Sequence, residues 1–173
     1  MSLNPSFRQL FPGSMLLACV DGDTSCSVLC KCAMVIGWWH RMEWPVAFLR
    51  RVPAGLTGAR QHQGRVFSGA GDLVIDVEDM CPWRNHHLRD LLTDFGAASV
   101  TLAGSGLHDL LLGAVHAADA ENIPAIIVAD AVQGQGPGNL QDGRSEEAIL
   151  SLLEPIALLL PMTAFMSTIE MAA

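Results

Sequence analysis

The sequence has 173 residues, half of them hydrophobic and 16% charged, which is one domain's length with enough apolar side chain to bury a core without metals or disulfides. Its net charge of −8, with only 10 basic residues, opposes a surface that tracks phosphates, because nucleic-acid affinity draws on clustered Lys and Arg that displace counterions. A local patch of Arg50, Arg51, Arg60 and Arg65 is the one exception to weigh.

Five cysteines fall at 19, 26, 30, 32 and 81, an odd count, with four of them crowded into apolar sequence. A disulfide framework spaces its cysteines along loops, so reduced thiols are expected. No charged n-region, apolar h-region and small-residue cleavage site opens the chain, and the apolar stretches near Met15 and Pro155 are too short for a membrane span. The expectation is a cytoplasmic protein with no membrane partner.

The apolar run from Met15 to Val20 reads as a buried strand that stops at Asp21-Gly22-Asp23-Thr24, a turn followed by a helix cap. Cys26 to Trp44 is long enough for a helix, which Pro45 breaks, and Val46 to Leu49 reads as the second strand. Residues 53–71 turn to Gly, Gln and Arg without periodicity and are given no regular structure. Asp72 to Val77 is a third strand, Asn85 to Phe95 a helix carrying Leu88, Leu91, Leu92 and Phe95 at helical spacing, and Ser99 to Ala103 a fourth strand. Leu107 to Glu121 reads as helix, Ala125 to Ala129 as a fifth strand, Ser145 as the cap of a helix ending at Leu153, and Ile156 to Leu160 as a sixth strand. Apolar strands alternating with amphipathic helices require a mostly parallel sheet covered on both faces, a three-layer doubly wound α/β domain over residues 1–173. Ligands in such sheets bind beyond the carboxyl ends of the strands.

Thr101-Leu-Ala-Gly104 with the helix after it, and Ile123-Pro-Ala-Ile-Ile-Val-Ala-Asp-Ala131, resemble the isochorismatase-like cysteine hydrolases, in which an apolar strand ends in Gly and a nucleophilic Cys opens the next helix. Val20-Asp21 resembles that family's first-strand end, whose Asp is the general base. The resemblance covers roughly residues 14–170, and His108 with the short loop is most similar to the subgroup that carries Glu-Ala-His-Val-Cys at this place. It implies six strands in the order 3-2-1-4-5-6 and association into a homodimer or larger assembly, with which the apolar tail from Leu158 to Met171 is consistent.

The same resemblance puts Leu110 where the nucleophile belongs, and Val77 or Glu78 where a charge-stabilising lysine belongs. A leucine has no lone pair with which to form a covalent intermediate. Lys31, the only lysine, lies in the first helix and does not replace the missing one. Asp21 remains, either as a turn cap or as a pocket carboxylate, and Asp23 reads more simply as a cap. Cys81 is either a small residue packed under Trp83 or a relocated nucleophile facing Asp21. The implied pocket is lined by Val77, Trp83, Gly106, His108 and Leu110.

Cys26, Cys30 and Cys32 invite a metal reading, but a structural zinc site needs four ligands and no complementary pair stands at a suitable spacing, so no metal and no cofactor is expected. His86 and His87 read as solvent-facing, and Trp38, Trp39 and Trp44 as core or subunit contact. Two functions remain: a non-hydrolytic scaffold or binding module that takes a small-molecule ligand, or a divergent hydrolase of a small amide, ester or vinyl ether using Cys81 with Asp21 as base.

Overall fold

The computed structural model describes residues 13–20, 24–51, 72–77, 88–134 and 143–170. Asp21, Asp23, Glu78, Cys81, Trp83, His86, His87 and the loop 53–71 lie outside the described residues.

Strand β1 (Ser14–Cys19) is buried along its whole length, as a continuous apolar run must be when both faces of its sheet are covered. Met15, Leu17 and Cys19 pack into one apolar cluster while Leu16 and Ala18 pack into another, the alternation that a strand imposes on its side chains. Helix α1 (Cys26–Arg41) is capped by Ser25, whose hydroxyl accepts from the Val28 amide at 3.4 Å. It ends three residues before the expected Trp44. Glu43 turns into the left-handed region at φ 56°, and the Trp44 amide donates back to the Trp39 carbonyl at 3.0 Å, closing the helix with a Schellman motif before Pro45 is reached.

Strand β2 (Val46–Arg51) runs two residues past the expected Leu49, and β3 (Leu73–Val77) follows after the long loop. Helix α2 (Leu88–Asp94), β4 (Ser99–Gly104) and helix α3 (Leu110–Ala120) come next. Residues 107–109 form a turn and not the first turn of α3, because the Asp109 side chain takes the Leu110 amide as an N-cap. Strand β5 (Ala125–Val132) continues through Asp130. Helix α4 (Gly143–Leu153) already includes Ser145, so Ser145 is not its cap, and β6 (Leu158–Leu160) begins two residues after the expected Ile156. The apolar tail ends in helix α5 (Met162–Glu170).

The six strands form one sheet in the order β3-β2-β1-β4-β5-β6 with every pairing parallel, the expected topology. One face is covered by α1 and α5, whose Val35, Ile36, Trp39 and Phe165 pack on Leu16, Ala18 and Ile126. The other is covered by α2, α3 and α4 through Leu88, Leu92, Leu111, Val115 and Leu153. Trp39 is wholly core: its indole N–H donates to the Ser14 carbonyl at 2.9 Å and its ring stacks on Phe165 at 5.8 Å. Trp38 stays half-buried, with the Arg41 guanidinium 4.8 Å from its ring centroid.

Candidate functional site

In this strand order the chain winds outward in opposite directions from the β1–β4 pair, so the crevice opens beyond the carboxyl ends of those two strands. Cys19 and Gly104 are register partners there. Gly104 has φ +116°, and a Cβ on it would stand 1.9 Å from the Cys19 carbonyl oxygen, so the two backbones approach as only glycine allows. The same Cys19 oxygen accepts from the Ser105 amide at 2.7 Å and from the Ser105 hydroxyl at 3.2 Å. Next along, Gly106 sits at φ +82° with Cys19 Sγ, Leu110 Cβ and Asp109 Oδ1 all within 3.6 Å of where its Cβ would stand.

Leu110, at the position that the resemblance gives to the nucleophile, is the first residue of α3 and 1% exposed. Val77, at one of the two positions considered for the lysine, is 2% exposed at the end of β3. Both belong to one continuous apolar cluster that also holds Cys19 and Leu107. Asp109 Oδ1 accepts from the Leu110 amide at 2.5 Å, so the carboxylate already occupies the positive end of α3.

His108 lies against Gly134, and its Nε2 is buried without a hydrogen-bond partner among the described residues. Gly134 donates its own amide to Glu146 Oε1 at 2.8 Å. Gln133 ties the region together: its amide donates to the Gly104 carbonyl, its carbonyl accepts from Leu107, and its side-chain oxygen accepts from the Ser25 amide at 2.8 Å.

Two of the cations among the described residues are held in ion pairs. Lys31 pairs with Asp130 at 3.2 Å, and Asp130 also caps α5 by accepting the Met162 amide at 2.7 Å. Arg50 grips its cross-strand partner Asp76 with bonds of 2.6 and 2.8 Å, which holds the guanidinium even more firmly charged.

The thiols divide by face. Cys26 and Cys30 are exposed on α1, whereas Cys32 turns inward and donates to the Ala131 carbonyl at 3.4 Å. Burial, helped by the neighbouring Cys19, pushes the Cys32 thiol up to about 12. The three cysteines of α1 therefore do not converge, and among the described residues no group of three or more His, Cys, Asp or Glu side chains is placed to hold a metal.

The site thus brings together Gly106, His108 and Leu110, with Val77 in the same core, and adds three residues that sequence reasoning left outside the pocket: Cys19, Gln133 and Gly134. Cys19 is the last residue of a strand that stops at the crevice, a signal available in the sequence. Gln133 and Gly134 sit in a glycine-rich stretch whose contacts only the folded chain reveals. No helix among the described residues is long and apolar enough to cross a membrane.

No family sequence model matches the chain and no curated protein matches it. Among solved structures its fold is that of isochorismatase-family hydrolases. A cysteine hydrolase from Pseudomonas syringae superposes with a TM-score of 0.77 over 94% of this chain and 95% of that one, at 11% identity. An isochorismatase from Pseudomonas putida gives 0.71 over 87% and 88% at 15% identity. An N-carbamoylsarcosine amidase from Thermoplasma acidophilum gives 0.63 over 86% and 96% at 16% identity.

Proposed function

We propose that the chain is a degenerate relative of the cysteine hydrolases whose fold it shares, one that has given up the hydrolytic step and works as an oligomeric scaffold or small-molecule binding module. The observation that carries this reading is Leu110: the residue that opens the helix after β4 is an aliphatic side chain, 1% exposed and packed in the same apolar cluster as Val77. Hydrolysis through a covalent intermediate needs a nucleophile, a base and a group that stabilises the developing charge. In this reading an aliphatic side chain stands at the place of the nucleophile, and Val77 or Glu78, neither of them cationic, at the place of the charge-stabilising lysine.

The Nε2 of His108, buried without a hydrogen-bond partner among the described residues, favours the binding-module form. A buried polar atom without a partner costs about 1–3 kcal/mol, and a ligand group that meets it recovers that cost. The test is a panel of small amides, esters and vinyl ethers offered to the purified chain, with light scattering for its mass and heteronuclear spectra for binding. The reading expects no turnover, a dimer or larger species, and ligand-induced shifts that centre on His108. Turnover that disappears in Cys81→Ser and in Asp21→Asn would overturn it in favour of a divergent hydrolase.

A further inference from the structure

Cys26 and Cys30 are free, exposed and four residues apart on α1, and one turn further along Met34 is 52% exposed, one of only four large hydrophobic side chains exposed among the described residues. Side chains at this spacing stand one above another on a single helix face, and long ones commonly lean toward the helix N-terminus, the direction that brings a thioether at 34 within reach of a thiol at 30. Three sulfur-bearing side chains thus share one solvent-facing stripe. Cys32 is excluded from it, since its thiol is buried and bonded to Ala131.

The spacing decides what this stripe can do. Cβ atoms four residues apart on a helix are about 5–6 Å apart. A disulfide needs about 3.5–4.5 Å, so Cys26 and Cys30 do not close on each other. Two metal–sulfur bonds of about 2.3 Å each do span the gap. Zinc would demand two further ligands of its own preference, and no group of three or more His, Cys, Asp or Glu is available among the described residues. Thiolate and thioether sulfur select monovalent copper, which is satisfied by two strong ligands.

We propose that Cys26, Cys30 and Met34 form a surface site for copper(I), two thiolates holding the ion and the thioether adding a weaker third contact. On binding, one Cu⁺ is taken up, two S–H protons are released and two Cu–S bonds form, with no change of oxidation state. The site lies on α1 and is independent of the reading given to the crevice.

Titrating the reduced, full-length protein under anaerobic conditions into the coloured copper(I)–bicinchoninate complex tests the site. The wild-type chain should withdraw a single equivalent of copper, Cys26→Ser and Cys30→Ser should each withdraw none, and Met34→Leu should keep the stoichiometry but release the ion at a lower chelator concentration. Unchanged urea midpoints show that the exposed substitutions leave the fold intact. No withdrawal by the wild type, or the same withdrawal by the double serine variant, overturns the site. Retention by Met34→Leu equal to wild type removes the thioether from it. A wild type that takes no copper yet falls to half its mass in Met34→Glu would mean instead that a second copy covers this helix face.

Discussion

A Cβ placed on Gly134 would stand 2.5 Å from Cε1 and 2.7 Å from Nε2 of His108, so the imidazole occupies the space that any other residue at 134 would need. The position of the one buried, unpartnered ring nitrogen among the described residues is therefore set by the absence of a side chain twenty-six residues further along the chain. Gly134→Ala should push the ring aside and destabilise the fold by about 1–3 kcal/mol, as overpacking commonly does. Urea denaturation measures the cost. Adding His108→Ala should restore most of it, because the collision is with that ring; if the double variant is no more stable than Gly134→Ala, the two residues do not share the space.

Gly104 makes a harsher demand, since there the obstacle is backbone. A side chain would meet the Cys19 carbonyl oxygen at 1.9 Å while sitting at φ +116°. Neither β1 nor β4 can yield without breaking the pairing at the centre of the sheet. Gly104→Ala should cost more than about 4 kcal/mol or abolish folding, a size reserved for such collisions. Gly37 is the control: it lies inside α1 with nothing within 4 Å of an added Cβ, so Gly37→Ala should raise stability by about 0.5–1 kcal/mol. Thermal unfolding of the two variants side by side checks both signs, and a mild effect at 104 would mean that the close approach is not present in solution.

Much of this architecture was legible because burial on both faces leaves a plain mark. The runs at Met15 and Ala125 have no polar alternation, as a parallel sheet covered on both faces tolerates, and both are strands in that sheet. What misled was the ends. Propensity carried the first helix to Trp44, but Glu43 adopts a left-handed conformation that no composition rule demands of a glutamate. Similarly, Ser145 has the right chemistry for a cap, yet the helix starts at Gly143. Of the site, Leu110 and Val77 were placed by resemblance and lie in the buried cluster, whereas the thiol of Cys19 passed as simple core. Its proximity to Leu110 arises from two glycines that bring distant segments together.

Leu110→Cys puts a thiol at the position that the resemblance reserves for one. It should destabilise the fold by about 2 kcal/mol, the lower end of the range for truncating a buried leucine. The new thiol should stay inert to iodoacetamide in the native state and react on unfolding, because burial disfavours the thiolate and neither Lys31 nor Arg50 is free to stabilise it. Peptide mass mapping after a short native pulse resolves residue 110 from exposed Cys26 and Cys30, which should label first. Rapid native labelling at 110 would show a poised, solvent-open position and undo the account of Leu110 as packed core.

Cys32 ties stability to alkaline pH. Its folded thiol is pushed up to about 12 from an ordinary value of 9.0, chiefly because burial penalises the thiolate and secondarily because Cys19 is near. A folded value above the unfolded one means that the folded chain keeps a proton that the unfolded chain gives up. The contribution is fully present below pH 9 and is lost progressively as pH rises from 9 toward 12. The loss is on the order of 4 kcal/mol, since each unit of difference is worth about 1.4 kcal/mol. Urea midpoints of the wild type should hold steady below pH 9 and fall steeply above it. Cys32→Ala, somewhat less stable throughout for want of the sulfur's packing, should show a clearly shallower alkaline fall. Parallel curves for the two proteins would assign the alkaline transition to other groups and leave Cys32 with a packing role alone.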